Sequence, residues 1–217
     1  MKTQTVKGFQ DFTGDEAQKR AKIKSVIEEI LKSYGFEPAE TPIVEFEEFV
    51  KGENPNDGAV RDIFKLEDRG KRKLALRFEF TFQLKRLARN QKLPYKRYQI
   101  GYNFRDEPIR EGRTRQFVQA DADIIGSSIK DEAEILAMAR KFFDELKIPI
   151  TIYINNRKLL NEILDEQDVA EKDRDDVIRE IDKLDKLSEK EVAENLKKYG
   201  AKVLVKLIKQ PEKFFEK

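Results

Sequence analysis

Apolar residues recur at helical spacing over Ile23, Val26, Ile27, Ile30, Leu31 and Tyr34, the period of one buried helix face. Thr13 and Glu16 have capping-box spacing upstream, and Gly35 follows as a stop, so the pattern predicts a long first helix. Thr41-Pro42 begins an extended stretch, because the residue before a proline avoids the helical region. Lys51–Gly58 (KGENPNDG) reads as a loop. The period then changes to two. Strands are predicted over Ile63–Leu66 and Leu74–Phe82, joined by a charged turn at Asp68–Lys73, and again over Tyr95–Arg105 and Gln116–Ile125. A short helix is expected over Gln83–Asn90. Ser128 and Asp131 can cap a helix carrying Ile135, Leu136, Met138, Ala139, Phe142, Phe143 and Leu146, with a strand after it at Ile150–Asn155. From Arg157 onward the pattern is helical, with a stripe at Val177, Ile178, Ile181 and Leu184 and a second capping box at Ser188 and Glu191. These elements predict an α+β fold: a mainly antiparallel sheet flanked by helices over 1–166, then a small helical appendage over 167–217.

Within the strands, alternation sorts the side chains onto two faces. Leu74–Phe82 places Leu76, Phe78, Phe80 and Phe82 on one side and Arg77, Glu79 and Thr81 on the other. In Tyr95–Arg105 the sides are Tyr98, Ile100, Tyr102, Phe104 and Arg97, Gln99, Asn103, Arg105. In Gln116–Ile125 they are Val118, Ala120, Ala122, Ile124 and Phe117, Gln119, Asp121, Asp123. Two readings of the polar faces stay open. One is the wet or ion-paired outer face of an antiparallel sheet. The other is a platform formed by three strands side by side, with carboxylates for an ammonium group, Arg105 for a phosphate or carboxylate, and the ring of Phe117 for a planar base. The second would suit a zwitterionic amino acid beside a nucleotide. In the connection Asp106–Arg115, Arg105, Arg110, Arg113 and Arg115 crowd around Gly112 with Glu107 among them; arginine forks there could hold phosphate oxygens, or the arm is a charged hairpin tip with local Arg–Glu pairs.

Composition narrows the chemistry. The chain has 217 residues, 44 Lys or Arg against 42 Asp or Glu, no histidine and no cysteine. Imidazole and thiol catalysis, disulfides and cysteine-based zinc sites are therefore excluded. A net charge of +2 confines any nucleic-acid contact to local patches. No apolar run reaches the length of a membrane span, and the opening MKTQTVKG has no apolar leader core, so a cytoplasmic location without a membrane partner is expected. No Walker-type loop or dinucleotide fingerprint occurs, which leaves arginines on a sheet as the means of holding a nucleotide.

Several segments, in order, resemble class II aminoacyl-tRNA synthetases and specifically the histidyl-tRNA synthetase family. KGFQDF at Lys7–Phe12 is similar to the family's opening KGTRDF, departing at Phe9 and Gln10. YGFEPAETPIVE at Tyr34–Glu45 resembles motif 1, with Pro42 at its proline. LRFEFT at Leu76–Thr81 resembles the LRFDLT or LRPEGT signature, Ile100–Gly126 resembles motif 2, and INNRKLL at Ile154–Leu160 is similar to a stretch of this branch.

The resemblance implies a histidine–tRNA ligase that activates histidine with ATP and transfers it to tRNA(His). It implies ATP as substrate, magnesium arriving with ATP, and a homodimer through motif 1. Arg105 matches the catalytic arginine on the α-phosphate. Glu107, Arg113 and Phe117 match positions around ATP. Glu79, Thr81 and Gln119 match residues around the substrate amino group, with Asp123 near the imidazole. Motif 3 and the anticodon-binding domain have no counterpart in this sequence, so a catalytic fragment or one half of a split enzyme, with a separate C-terminal half, is one expectation. A non-catalytic paralogue, such as a histidine-binding regulatory subunit of ATP phosphoribosyltransferase, is the other. The lysines of the appendage (Lys183, Lys186, Lys190, Lys197, Lys198, Lys202, Lys206, Lys209) are interleaved with acids and offer at most a salt-sensitive contact to tRNA.

Overall fold

The computed structural model describes residues 3–52 and 58–209; the predicted loop Lys51–Gly58 lies, over 53–57, outside the described residues. Elements follow in the order α1 (Gly14–Ser33), β1 (Glu37–Pro38), β2 (Val44–Phe46), α2 (Glu47–Lys51), α3 (Gly58–Arg61), β3 (Lys65–Glu67), β4 (Lys73–Leu76), α4 (Thr81–Leu87), β5 (Tyr95–Phe104), β6 (Gln116–Ile125), α5 (Ile129–Glu145), α6 (Arg157–Glu166), α7 (Arg174–Ile181), α8 (Glu189–Leu196) and α9 (Leu204–Lys209). The chain forms two compact units, 1–151 and 152–217.

The first unit is built on two sheets, β1-β5-β6 and β2-β4-β3. Strands β5 and β6 pair antiparallel over their whole length, from Tyr95 opposite Ile125 to Phe104 opposite Gln116. β1 lies parallel to β5; the remaining pairs are antiparallel. The stripes of α1 and α5 meet one face of β5 and β6. Ile30, Leu31, Phe36, Tyr98 and Met138 are buried there, with Val26, Ile27, Ile100, Ala122, Ile124, Ile135 and Phe142 packed around them. This is the ordinary way for a half-apolar sheet and amphipathic helices to leave water together. At the start of α5 the Asp131 carboxylate accepts from the Ser128 backbone N–H and hydroxyl. At α1 the chain turns helical after Thr13 as expected, but Thr13 makes no side-chain cap.

Three expectations are corrected. The predicted strand Leu74–Phe82 ends at Leu76, and β4 belongs to a different sheet from β5 and β6, so the three polar-faced strands do not pair side by side. Arg77 still bonds through its backbone to Ile43 and Phe104; Phe78–Phe80 then runs out of regular strand and α4 begins at Thr81. The Glu79 carboxylate accepts from the backbone N–H of Thr81 at 3.0 Å and of Phe82 at 2.8 Å, satisfying donors that an uncapped helix start would leave open. The carbonyls that a ladder partner would take are claimed by arginines, Phe78 by Arg105 Nε at 3.2 Å and Phe80 by Arg97 Nη2 at 3.3 Å.

The predicted strand Ile150–Asn155 does not form. Its apolar side chains stay exposed, Tyr153 to 91%, and no described strand pairs with it; a lone strand has no partner for its backbone groups. Last, the division falls after Thr151, not near Gln167. Helix α6, assigned above to residues 1–166, sends Leu160, Ile163 and Leu164 into one core with Val169, Val177, Ile181, Val192, Leu196, Ala201, Leu204 and Val205. Burial therefore ties it to the helical unit. In that unit Asn156 caps α6 by accepting from Lys158 and Leu159 N–H, and Ser188 and Glu191 cap α8 reciprocally. A left-handed Gly200 (φ 70°) follows the turn after α8.

Candidate functional site

The β5–β6 register lines up the polar residues in cross-strand pairs. Arg97 faces Asp123, Gln99 faces Asp121, Gly101 faces Gln119, and Asn103 faces Phe117. All share one face because they are two residues apart on each strand. That face is not the wet side of the sheet. Arg97, Gln99 and Asn103 are buried, whereas Tyr102 and Val118 on the opposite face are each 42% exposed. The covering layer comes from Thr41 and the Arg77–Phe80 segment.

The burial is tolerated because partners are supplied. Gln99 Nε2 donates to the Thr41 hydroxyl at 2.9 Å. Gln83 Nε2 donates to the Pro42 carbonyl and to Glu45 Oε1, each at 2.9 Å, and the hydroxyl of Thr41 also reaches Gln83 Oε1. Arg86 clamps both oxygens of Glu45 at 2.7 and 3.0 Å. Burial pushes the Glu45 carboxyl upward, but the bonds from Arg86 and Gln83 outweigh it and hold it below the usual carboxylate range. Arg77 bonds the carbonyls of Thr41 at 2.6 Å and Tyr102 at 2.9 Å; burial pushes it down, opposed by Glu45.

At one end of the face a guanidinium and an aromatic ring come together. The Arg105 guanidinium lies 5.0 Å from the Phe117 ring centroid and is held by its bond to the Phe78 carbonyl. Beyond it, Arg113 pairs with Glu107 at 3.2 Å. Arg115 pairs with Asp106 at 3.0 Å, and its Nε donates to the Glu107 carbonyl. Gly8 of the N-terminal segment accepts from the Arg115 backbone N–H, and Phe9 beside it packs on Phe64 and Phe104. The opening KGFQDF thus braces the arm.

At the other end Asn103 Nδ2 donates to Gln119 Oε1 at 2.9 Å, and Gln119 Nε2 donates to Asp121 Oδ1 at 3.0 Å. Arg97 Nη2 stands 2.5 Å from Asp123 Oδ2 and 3.9 Å from Asp121. Burial pushes the Asp123 carboxyl above its ordinary value; Arg97 opposes this, while Asp121 and Glu79 add to it.

All eight residues singled out in the sequence are described. Arg105, Phe117, Gln119 and Asp123 share the β5–β6 platform, and Glu107 and Arg113 occupy the arm next to Arg105. Glu79 approaches Asp123 closely enough to influence its ionisation, but both its oxygens are engaged at the start of α4. Thr81 is exposed as the first residue of that helix. Arg77, Arg97, Gln99 and Asn103 were recognisable as members of the polar faces. Their burial, and the part of Thr41, Gln83, Glu45 and Arg86 in supporting them, had no sequence signal.

A model of the family described as histidyl-tRNA synthetase matches residues 8–216. The chain belongs to the histidyl-tRNA synthetase family. It is 41% identical over 192 residues to histidine–tRNA ligase 1 of Bacillus cereus, covering 86% of this chain and 45% of that protein. A crystal structure of histidyl-tRNA synthetase from a Nostoc species superposes with a TM-score of 0.79 at 29% identity, covering 92% of this chain and 46% of that one. A structure described as an ATP phosphoribosyltransferase regulatory subunit/histidyl-tRNA synthetase, from Bacillus halodurans C, has the same fold, with a TM-score of 0.76 at 19% identity, over 90% of this chain and 51% of its own. The chain thus spans about half the length of the synthetases it matches. Among the described residues no helix is long and apolar enough to cross a membrane.

Proposed function

We propose that this chain carries the histidine- and ATP-binding platform of a histidine–tRNA ligase. The observation that supports this most strongly is the β5–β6 register. It puts an arginine and an aromatic ring, Arg105 over Phe117, at one end of a face whose other end bears Gln119, Asp121 and Asp123. A nucleotide and a zwitterionic amino acid fit the two ends in that order. Histidine's carboxylate would attack the α-phosphate of ATP, forming histidyl-adenylate with loss of pyrophosphate. The acyl group would then pass to the terminal ribose of tRNA(His). In the first step Arg105 neutralises charge growing on the α-phosphate, Phe117 stacks on adenine, and Arg113 with Glu107 orients the remaining phosphates. Gln119 and Asp123, with Glu79 and Thr81 alongside, hold the amino acid. No side chain needs to act as a nucleophile, in keeping with a chain that has neither histidine nor cysteine.

Magnesium enters this reading as the companion ion of ATP. Among the described residues no group of three or more acidic side chains is placed to hold a metal, so no residue of the chain is assigned to it. Full activity is proposed to require the remaining length of the family, on a separate C-terminal half if need be. A homodimer through the exposed strip Ile43, Val44 and Phe46 beside Pro42 and a cytoplasmic location complete the proposal; sedimentation of a folded monomer at micromolar concentration would remove the dimer.

Calorimetry with histidine, ATP and both together tests the reading. Binding of both ligands is the expected result. Histidine binding without ATP binding would favour a non-catalytic, histidine-sensing paralogue. Absence of both, in a chain that melts cooperatively, would overturn the ligand-binding proposal.

A further inference from the structure

Arg97 is one of the largest fully buried side chains of the protein, yet nothing above gives it a role. Its Nη2 reaches the Phe80 carbonyl at 3.3 Å and Asp123 at 2.5 Å. Its Nε and Nη1 have no hydrogen-bond partner in spite of complete burial, and the contact to Asp123 Oδ2 is an ion pair without hydrogen-bond alignment. A buried cation with unfilled donors is a costly arrangement that an apolar side chain would avoid. Its only close opposite charge among the described residues is the Asp123 carboxylate, with Asp121 farther off at 3.9 Å. Asp123 in turn retains 27% side-chain exposure, in contrast to none for Arg97, so one side of the pair is sealed and the other is open to a ligand.

The charged groups around Asp123 are few. From β5 comes Arg97, from β6 itself comes Asp121, and from the turn before α4 comes Glu79. Two of the three are anionic, and Asp123 is also partly buried. Both conditions favour the neutral carboxylic acid. Among the charged groups with the largest influence on it, Arg97 is the cation.

We propose that Arg97 is a positioning residue that keeps Asp123 charged and aimed across the open end of the platform, so that the subsite takes a ligand presenting an N–H donor. A protonated Asp123 would lose the charge-assisted bond to such a ligand and accept only through its remaining carbonyl oxygen. Arg97, sealed behind it, never touches the ligand. The inference rests on the amino-acid site proposed above and adds the residue that sets its polarity.

The decisive measurement is the carbon-13 titration of the Asp123 side-chain carboxyl in the unliganded full chain, alongside histidine calorimetry. Replacing Arg97→Met removes the charge while keeping an unbranched apolar body; it should move the Asp123 midpoint upward by about 1–3 pH units, the usual influence of one close opposite charge. Arg97→Lys should restore most of the lower midpoint. Asp121→Asn, at a partly exposed site that does not threaten folding, should move it downward, and this variant keeps the test open if Arg97→Met fails to fold. In calorimetry the ratio of the Arg97→Met to the wild-type dissociation constant should grow as pH falls through the Asp123 midpoint that the titration gives for Arg97→Met; taking the ratio cancels the ligand's own titration. An Asp123 midpoint unmoved by Arg97→Met, or by Asp121→Asn, would overturn the inference. So would a dissociation-constant ratio independent of pH. Failure of the wild-type chain to bind histidine while the midpoints move as stated would count against the amino-acid site alone, leaving the Arg97–Asp123 coupling established.

Discussion

Helix α6 decides where the helical unit begins, and Leu164 is the residue through which to ask. Its side chain is fully buried, in one core with Val177, Val192, Leu196 and Leu204. Leu164→Ala would remove three carbons, a methine and its two methyls, from a site with no solvent exposure, which costs about 2–5 kcal/mol depending on how far the cavity collapses. A unit the size of 152–217 has a total stability on the order of 3–10 kcal/mol, so the substitution should consume about a fifth of it or more. Native-state hydrogen exchange resolves the units separately. A loss of about 3 kcal/mol should accelerate exchange roughly a hundredfold at the amides of Val177, Val192 and Leu204. Amides of Tyr98, Ile100 and Ala122, whose side chains pack with α1 and α5, should exchange as before. If the boundary instead lay after residue 166, Leu164 would support the sheet. Faster exchange in β5 and β6 with no change in α7, α8 and α9 would refute the assignment of α6 to the helical core.

Three further outcomes are expected. Gly8→Ala, at φ +88° and with the new Cβ within 2.9 Å of Arg115 Cβ, Cγ and Cδ, should cost on the order of 1–3 kcal/mol and weaken ATP binding by unseating the brace of the arm; an unchanged melting temperature would contradict it. Glu45 is held below its ordinary value, so it contributes stability above about pH 4.5, its unperturbed pKa, and that contribution is lost as pH falls through the depressed folded value. Glu45→Gln should flatten the acid limb of the stability curve, read from urea midpoints between about pH 7 and about pH 3, and a limb of unchanged slope would count against the pairing with Arg86. Removing the guanidinium by Arg105→Ala should weaken ATP binding by about ten- to a hundredfold, the weight of a charge-assisted contact of about 1.5–3 kcal/mol, with histidine affinity little changed; equal losses for both ligands would mean that Arg105 supports the platform rather than the phosphate.

The elements that were legible in the sequence are those whose signals are local. β6 runs from Gln116 to Ile125 as its alternation predicts, and the capping residues Ser128 and Ser188 mark the starts of α5 and α8. The misreadings share one cause, a partner distant in sequence. In LRFEFT the alternation of Arg77, Phe78, Glu79 and Phe80 satisfies a strand period, but Arg97 on β5 and Arg105 just after it take the carbonyls of Phe80 and Phe78 and Glu79 turns the chain into α4. Ile150, Ile152 and Ile154 alternate as a strand would, but without a neighbour the period alone does not make one. Nothing in the spacing of Leu160, Ile163 and Leu164 says that they will meet Val192 and Leu204 rather than the sheet.

The site shows the same division between pattern and partnership more sharply. Alternation sorted the side chains of β5 onto the correct two faces, and the ordinary rule would then send the charged face to water. In β5 the charged face is buried as well, beside Tyr98 and Phe104 of the apolar face. Arg97, Gln99 and Asn103 are buried while Tyr102 and Val118 are half-exposed. Burying a polar face is tolerable only while every group finds a partner, and along β5 the partners can be followed one by one: Thr41 for Gln99, Gln119 for Asn103, the Phe80 carbonyl and Asp123 for Arg97. The supply runs short at Arg97 Nε and Nη1, at Asn103 Oδ1 and at Asp123 Oδ2. These orphaned atoms lie in the stretch of the face between Asp123 and Phe117, where the amino acid and the nucleotide are proposed to meet. A polar face buried for stability alone would have its deficits scattered or absent. Of the buried polar atoms without a partner among the described residues, only Arg174 Nε of the helical unit lies elsewhere, and that concentration supports the proposal that the burial serves a polar ligand.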